Sequence, residues 1–224
     1  VYLTNAVTEI SMGVNASVDY TKVQRESHQA YHLAALQVRQ GRGSVLRSHS
    51  IALGAAISRN EAGAELAGEG AEATLNGLFE GTGRQIVDNH TTIDHVAPNT
   101  TSRELYKGIL GGQSRGVFDG RIIVRPEAQK TNAMQASRNL LLSKDALVNT
   151  KPQLEILAND VKCKHGATVG QLDENVLFYL RSRGIGLADA RRLLIHAFAS
   201  EILDQVAVEA VRKQLGGCLF MIAN

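Results

Sequence analysis

The sequence predicts a mainly β protein built as a parallel β-helix and closed by a C-terminal helical hairpin. Three observations lead there. Residues 1 to about 170 contain no long apolar stripe of 3.6-residue period and break instead into short β-rich runs separated by Gly, Asn, Asp and Ser. Those runs recur roughly every 15–20 residues, near the period of a solenoid. At residue 172 the pattern changes to helical spacing.

The β-rich runs include residues 44–53, 71–79, 84–96, 103–110, 117–125, 138–142, 153–157 and 167–169. Within 71–79, Ala71, Ala73 and Leu75 face one side while Glu72, Thr74 and Asn76 face the other, as in a half-buried strand. Two all-β architectures compete. A sandwich favours tight hairpins, and Asn76-Gly77 and Asp119-Gly120 are the dipeptides such turns use. A β-helix stacks each strand on an earlier one and needs Gly and Asn at its corners. The spacing modestly favours the β-helix.

The C-terminal region reads as two helices. Asp173 is the N-cap of the first, Glu174 suits its first turn, and Gly184 is its C′ residue. Between them lie Val176, Leu177, Leu180 and the pair Phe178-Tyr179. After Gly184-Ile185-Gly186 a longer helix is expected over 187–213, with Leu187, Ala190, Leu194, Phe198, Ile202 and Val206 forming its apolar stripe. The organisation expected is therefore a β-helix over 1–170, a helical region over 171–215, and a frayed or foreign tail over 216–224. The first residue is Val1 rather than Met, so the chain reads as a fragment with N-terminal material missing.

Composition narrows the function classes. The chain has 224 residues, is 44% hydrophobic, and carries a formal net charge of only +2 without a basic stripe, so nucleic acid is not an expected partner. No apolar run approaches the ~20 residues that cross a bilayer, so no membrane partner is expected. The 2 cysteines, Cys163 and Cys218, lie far apart, which fits a reducing compartment. A cytoplasmic location follows, with a plastid stroma as the alternative. Aromatics are only 4% and Gly numbers 21, which suits stacked short strands better than a conventional two-layer core.

Few residues are candidates for chemistry, and none reads as catalytic. Cys163 and His165, two apart on a strand, project from one face and offer soft-to-borderline ligands for iron, zinc or copper. Two ligands are fewer than the four of a closed site, so a second chain must complete it. The bland alternative is a buried thiol beside a surface histidine. His90 and His95 beside Asp88 and Asp94 read as an exposed polar strand, and His28 and His32 as exposed. The clusters Gly41-Arg42-Gly43, Gly81-Thr82-Gly83 and Gly111-Gly112 lack the spacing of a phosphate loop and read as corner turns.

The landmarks Asn139-Leu140-Leu141-Leu142-Ser143, Thr150-Lys151-Pro152-Gln153-Leu154-Glu155-Ile156 and Asp160-Val161-Lys162-Cys163-Lys164-His165-Gly166-Ala167-Thr168-Val169-Gly170 follow one another in order. They continue as Leu172-Asp173-Glu174 and Leu177-Phe178-Tyr179-Leu180-Arg181-Ser182-Arg183-Gly184-Ile185. This string resembles the SufB/SufD family of iron–sulfur cluster assembly proteins, and its Lys-His-Gly-Ala-Thr form resembles SufD. Ser102 to Pro126 is similar too, and the likeness weakens before about residue 40 and after about 200. The resemblance implies a right-handed parallel β-helix and a non-catalytic scaffold that pairs with SufB and binds the ATPase SufC. It implies that His165 lies at the SufB junction, with Cys163 beside it, where an iron–sulfur cluster assembles transiently and is not stably held by the isolated chain. It implies partner binding through the C-terminal helices, at Phe178, Tyr179, Arg181, Arg183, Gly184 and Ile185. Without SufB, a homodimer through the last strands is expected. A β-helix binding or structural protein without metal chemistry is the alternative.

Overall fold

The computed structural model describes residues 1–218 of the chain. It is a parallel β-solenoid of about six coils followed by helices. Each coil contributes one strand to each of two sheets. One sheet has the order β1 (Leu3–Met12), β3 (Tyr31–Gln40), β5 (Ile57–Leu66), β7 (Ile86–His95), β9 (Arg115–Val124) and β11 (Leu147–Ile156). The other has β2 (Ser17–Gln24), β4 (Val45–Ala52), β6 (Glu72–Gly81), β8 (Thr101–Leu110), β10 (Asn132–Leu141) and β12 (Lys162–Gly170). Leu3, Tyr31, Ile57, Ile86, Arg115 and Leu147 stack in one column, so a coil takes roughly thirty residues, ordinary for a solenoid. The strand spacing read from sequence is thus half a coil.

Every pairing in the two sheets is parallel, which removes the sandwich alternative. Asn76-Gly77 and Asp119-Gly120 are not hairpin turns: both lie inside strands, β6 and β9. Their glycines face the interior, where a Cβ on Gly77 would collide with the ring of Tyr106 in the next coil. The strand space is filled by that ring, which packs on Phe118 at 4.9 Å between centroids.

Alternation sends every second side chain inward. Leu36, Val38, Leu66, Leu75, Ile93, Ile122 and Val124 fill one half of the interior, and Phe79, Val87, Tyr106, Leu110 and Phe118 the other. The alternation read over 71–76 holds for Ala71, Ala73 and Leu75. Asn76 faces outward as read but is buried, because its amide donates to Gln205 Oε1 at 2.9 Å. β1, β2, β3 and β5 precede or interrupt the runs named from sequence, and the solenoid begins by residue 3.

The helices pack on the outer face of the β2–β12 sheet. Helix α1 (Glu174–Ser182) begins where Asp173 Oδ1 accepts from the amides of Asn175 (2.8 Å) and Val176 (3.3 Å). It ends in a Schellman motif: Gly184 has φ +87°, its amide donates to Arg181 O, and that of Ile185 to Leu180 O. Helix α2 (Leu187–Leu203) buries Ile195, Ala199, Ile202 and Leu203 against Ile51, Leu78, Ile109 and Leu140, and Ala190 near its start is buried too. The apolar stripe is therefore rotated from the one read in sequence: Leu187 is exposed, and Leu194 and Phe198 are only half-buried. Lys107 fastens the helix, its ammonium donating to Phe198 O at 2.7 Å, lying over the Phe198 ring and pairing with Glu201. The second helix is also not continuous to 213. It stops at Leu203, where Gln205 bonds to Asn76 and Val206 is buried, and α3 (Glu209–Cys218) follows. Within the segment 216–224, α3 is helical to Cys218 and the remainder lies outside the described residues.

Candidate functional site at the last coil

The solenoid ends at β11 and β12, whose outer edges pair with no strand among the described residues. Inward-facing positions of β12 inherit the interior columns but have no coil above them. Cys163 stacks on Ala133 and His165 on Gln135. The two face the same way, as the two-residue spacing requires. Cys163 is a free thiol, half-buried against the interior apolar cluster, and burial raises its pKa. His165 is exposed, as are Ala167 and Val169 beyond it on the same face.

Beneath His165 the column is polar. Gln135 Nε2 donates to Glu104 Oε2 at 2.6 Å, and Glu104 is 3% exposed. Burial pushes the Glu104 carboxyl up to about 7, so it is largely neutral in mildly acidic solution and acts as a hydrogen-bonding group. Sequence reading missed Glu104 and Gln135, because nothing local distinguishes an inward Glu on a solenoid strand from an outward one.

No group of three or more His, Cys, Asp and Glu capable of holding a metal occurs among the described residues. The thiol of Cys163 and the imidazole of His165 are of the donor types that suit iron or a cluster, and they number two.

The other histidines fall elsewhere. His95 is fully buried, not exposed. Thr100 Oγ1 donates to Ala97 O, so it accepts from His95 Nδ1 (2.8 Å), and Nε2 accepts from Ser102 Oγ (2.8 Å). That assignment fixes the Nδ1–H tautomer from the network. His32 is also buried, with Nδ1 3.0 Å from Glu26 Oε2, whereas His28 is exposed. Both buried rings sit at inward positions, which overrides their polarity. His90 is partly exposed and pairs with Asp88 at 2.8 Å.

The C-terminal residues singled out in sequence form a second surface. On α1 only Leu177 is buried; Phe178 is 72% and Tyr179 55% exposed. Arg183 lies over the Tyr179 ring at 5.2 Å, Arg181 and Gly184 are exposed, and Ile185 is half-buried.

Comparison with known proteins decides the family. The family model for the SUF system FeS cluster assembly SufBD core domain matches residues 1–198. The chain belongs to the SufBD family. It is 42% identical to an iron–sulfur cluster assembly SufBD family protein of Synechocystis over 97% of this chain and 48% of that protein. It is 37% identical to the iron–sulfur cluster assembly protein SufD of Escherichia coli, over 96% of this chain and 51% of the relative. A chloroplastic protein of Arabidopsis thaliana is also 37% identical, over 95% of this chain and 45% of its own length. The SufBD chain thus spans about half the length of these relatives, and its match begins at residue 1, ahead of the weakening near residue 40 read from sequence. No described helix is long and apolar enough to cross a membrane.

Proposed function

We propose that this chain is the solenoid part of a SufD-like scaffold subunit, which assembles an iron–sulfur cluster at its junction with a SufB-like partner. The observation that carries the reading is the open last coil. Cys163 and His165 lie together on its inward face, at an unpaired edge that a homologous solenoid can extend. The cluster is cargo. His165, exposed and with no strand stacked above it among the described residues, supplies an imidazole, and the partner contributes the remaining thiolates. Cys163, half-buried with its thiol pKa raised, is the weaker donor. The exposed Phe178–Tyr179 surface and the bend at Arg181, Arg183, Gly184 and Ile185 receive a SufC-like ATPase, whose nucleotide cycle moves the helices against the stiff solenoid. The chain itself carries no catalytic step.

The test is His165→Ala in the full-length subunit, with partner assembly and cluster formation measured separately. Clusters are expected to be lost while the complex persists. Intact clusters would refute the ligand role. Loss of both would reassign His165 to packing across the interface, in line with a binding protein without metal chemistry.

A further inference from the structure

Across most of the outer face of the β1–β11 sheet, cations are neutralised by carboxylates of the same or neighbouring coil. Arg39 pairs with Glu65, Arg59 with Glu61 and Asp88, Arg121 with Glu155, and Arg125 with Asp94. At one corner three cations lie together without such partners. Arg84, Arg115 and Lys144 come from three successive coils and line a single groove of about 590 Å³ with Ile86, Gln113, Asp145 and Leu147. None of the three cations takes part in an ion pair among the described residues, although Asp145 lies in the same groove.

The corner is held rigidly. The Gly111 amide donates to Gly81 O (2.8 Å), that of Gln113 to Gly83 O (2.7 Å), and the Ser143 hydroxyl to Gly112 O (2.6 Å). Gly83 and Gly112 both have positive φ, +54° and +63°, and Gly112 packs so closely on Gly83 that a Cβ there would meet its backbone nitrogen at 2.8 Å. This stacking brings Arg84 Nε to donate to Gln113 Oε1 at 3.2 Å, and Arg84 is exposed and lines the groove. Ile86 and Leu147 add apolar surface, Leu147 being 53% exposed. The glycine turns do not themselves cradle a phosphate, since no helix begins at them; the side chains supply the charge.

We propose that this corner binds a small multivalent oxyanion, phosphoryl or polycarboxylate, whose charged groups engage Arg84, Arg115 and Lys144 while its body lies on Ile86 and Leu147. Its volume falls within the usual range for small-molecule sites. Two guanidinium groups favour planar, bidentate oxyanions over a spherical anion such as chloride. The site lies away from Cys163 and His165 and is independent of the cluster reading.

The experiment is calorimetric titration of the whole chain with inorganic pyrophosphate and, separately, with citrate, at constant chloride. One saturable site per chain is expected, weakened at least about tenfold in the double variant Arg115→Gln/Lys144→Gln, because two of the three charge-assisted contacts to the oxyanion are removed. Arg103→Gln, an exposed cation elsewhere on the solenoid, should leave binding unchanged. Tighter pyrophosphate binding assigns a phosphoryl ligand, and tighter citrate binding a polycarboxylate. Absence of saturation at millimolar concentration overturns the proposal, as does equal weakening by Arg103→Gln. The substituted side chains are exposed, so unchanged thermal unfolding serves as the folding control.

Discussion

His95 and Glu104 occupy the same interior and are pushed in opposite directions by the same cause. Burial lowers the His95 pKa to about 4, against 6.5 for a free histidine, and raises that of Glu104 to about 7, against 4.5. For His95 the unfolded chain binds the extra proton between about 4 and 6.5, so its contribution to stability is full above 6.5 and is lost as pH falls toward 4. For Glu104 the folded chain holds the extra proton between about 4.5 and 7, so stability declines as pH rises through that window. The two slopes oppose each other between about 4.5 and 6.5. Glu104→Gln should therefore gain stability over the native chain as pH goes from 5 to 8, by up to about 3 kcal/mol. His95→Gln should cost about 1–3 kcal/mol at pH 7 and flatten the acid limb. Denaturant unfolding at several pH values measures both; a pH-independent difference for Glu104→Gln would mean that the buried carboxyl is not the titrating group. Neither burial was legible from sequence, because Asp88 to His95 reads as a polar strand and only the coil register assigns His95 to the inside.

At the scale of the element, the caps of α1 were legible and the face of α2 was not. Asp173 and Gly184 act locally, through hydrogen bonds within a few residues, so their meaning survives without a tertiary context. The buried face of α2 is chosen by the ridge of Ile51, Leu78, Ile109 and Leu140 beneath it, and by Lys107 holding Phe198 and Glu201 at the margin. Ile195→Ala should consequently cost about 2–5 kcal/mol, and Leu194→Ala less than half of that. Phe178→Ala with Tyr179→Ala should leave unfolding within about 0.5 kcal/mol of the native chain, while abolishing capture of a SufC-like ATPase. Thermal unfolding and a pull-down read these two outcomes. A large loss of stability in the α1 double variant would place those rings in packing contacts rather than at a partner surface.

Among the described residues the same coil is stacked about six times, and the strands at its two ends lack a neighbour on one side. Parallel stacking satisfies the backbone of every interior strand but leaves the last ladder open, an arrangement that proteins cover or blunt. In the absence of a SufB-like partner, the chain should form a symmetric homodimer through residues 162–168 at micromolar concentration. Val169→Lys, which places a charge on that exposed edge, should return it to monomer. Light scattering that finds monomer for both would count against edge pairing.

The sequence by itself determined the architecture class, the helix caps and the family. Short β runs at regular spacing, capping residues that act within one turn, and a long ordered string of landmarks are all local or linear signals. It also placed Cys163 and His165 on one face, because the strand period is two residues wherever the strand lies. Only the tertiary structure decided which face was inward, since a coil's register sets side-chain direction for a whole strand at once. That register buried His32, His95 and Glu104 and turned Gly77 and Gly120 from hairpin signals into spaces beside aromatic rings. It also brought Arg84, Arg115 and Lys144, about thirty residues apart along the chain, to one corner, a juxtaposition that stacking creates and no local pattern contains.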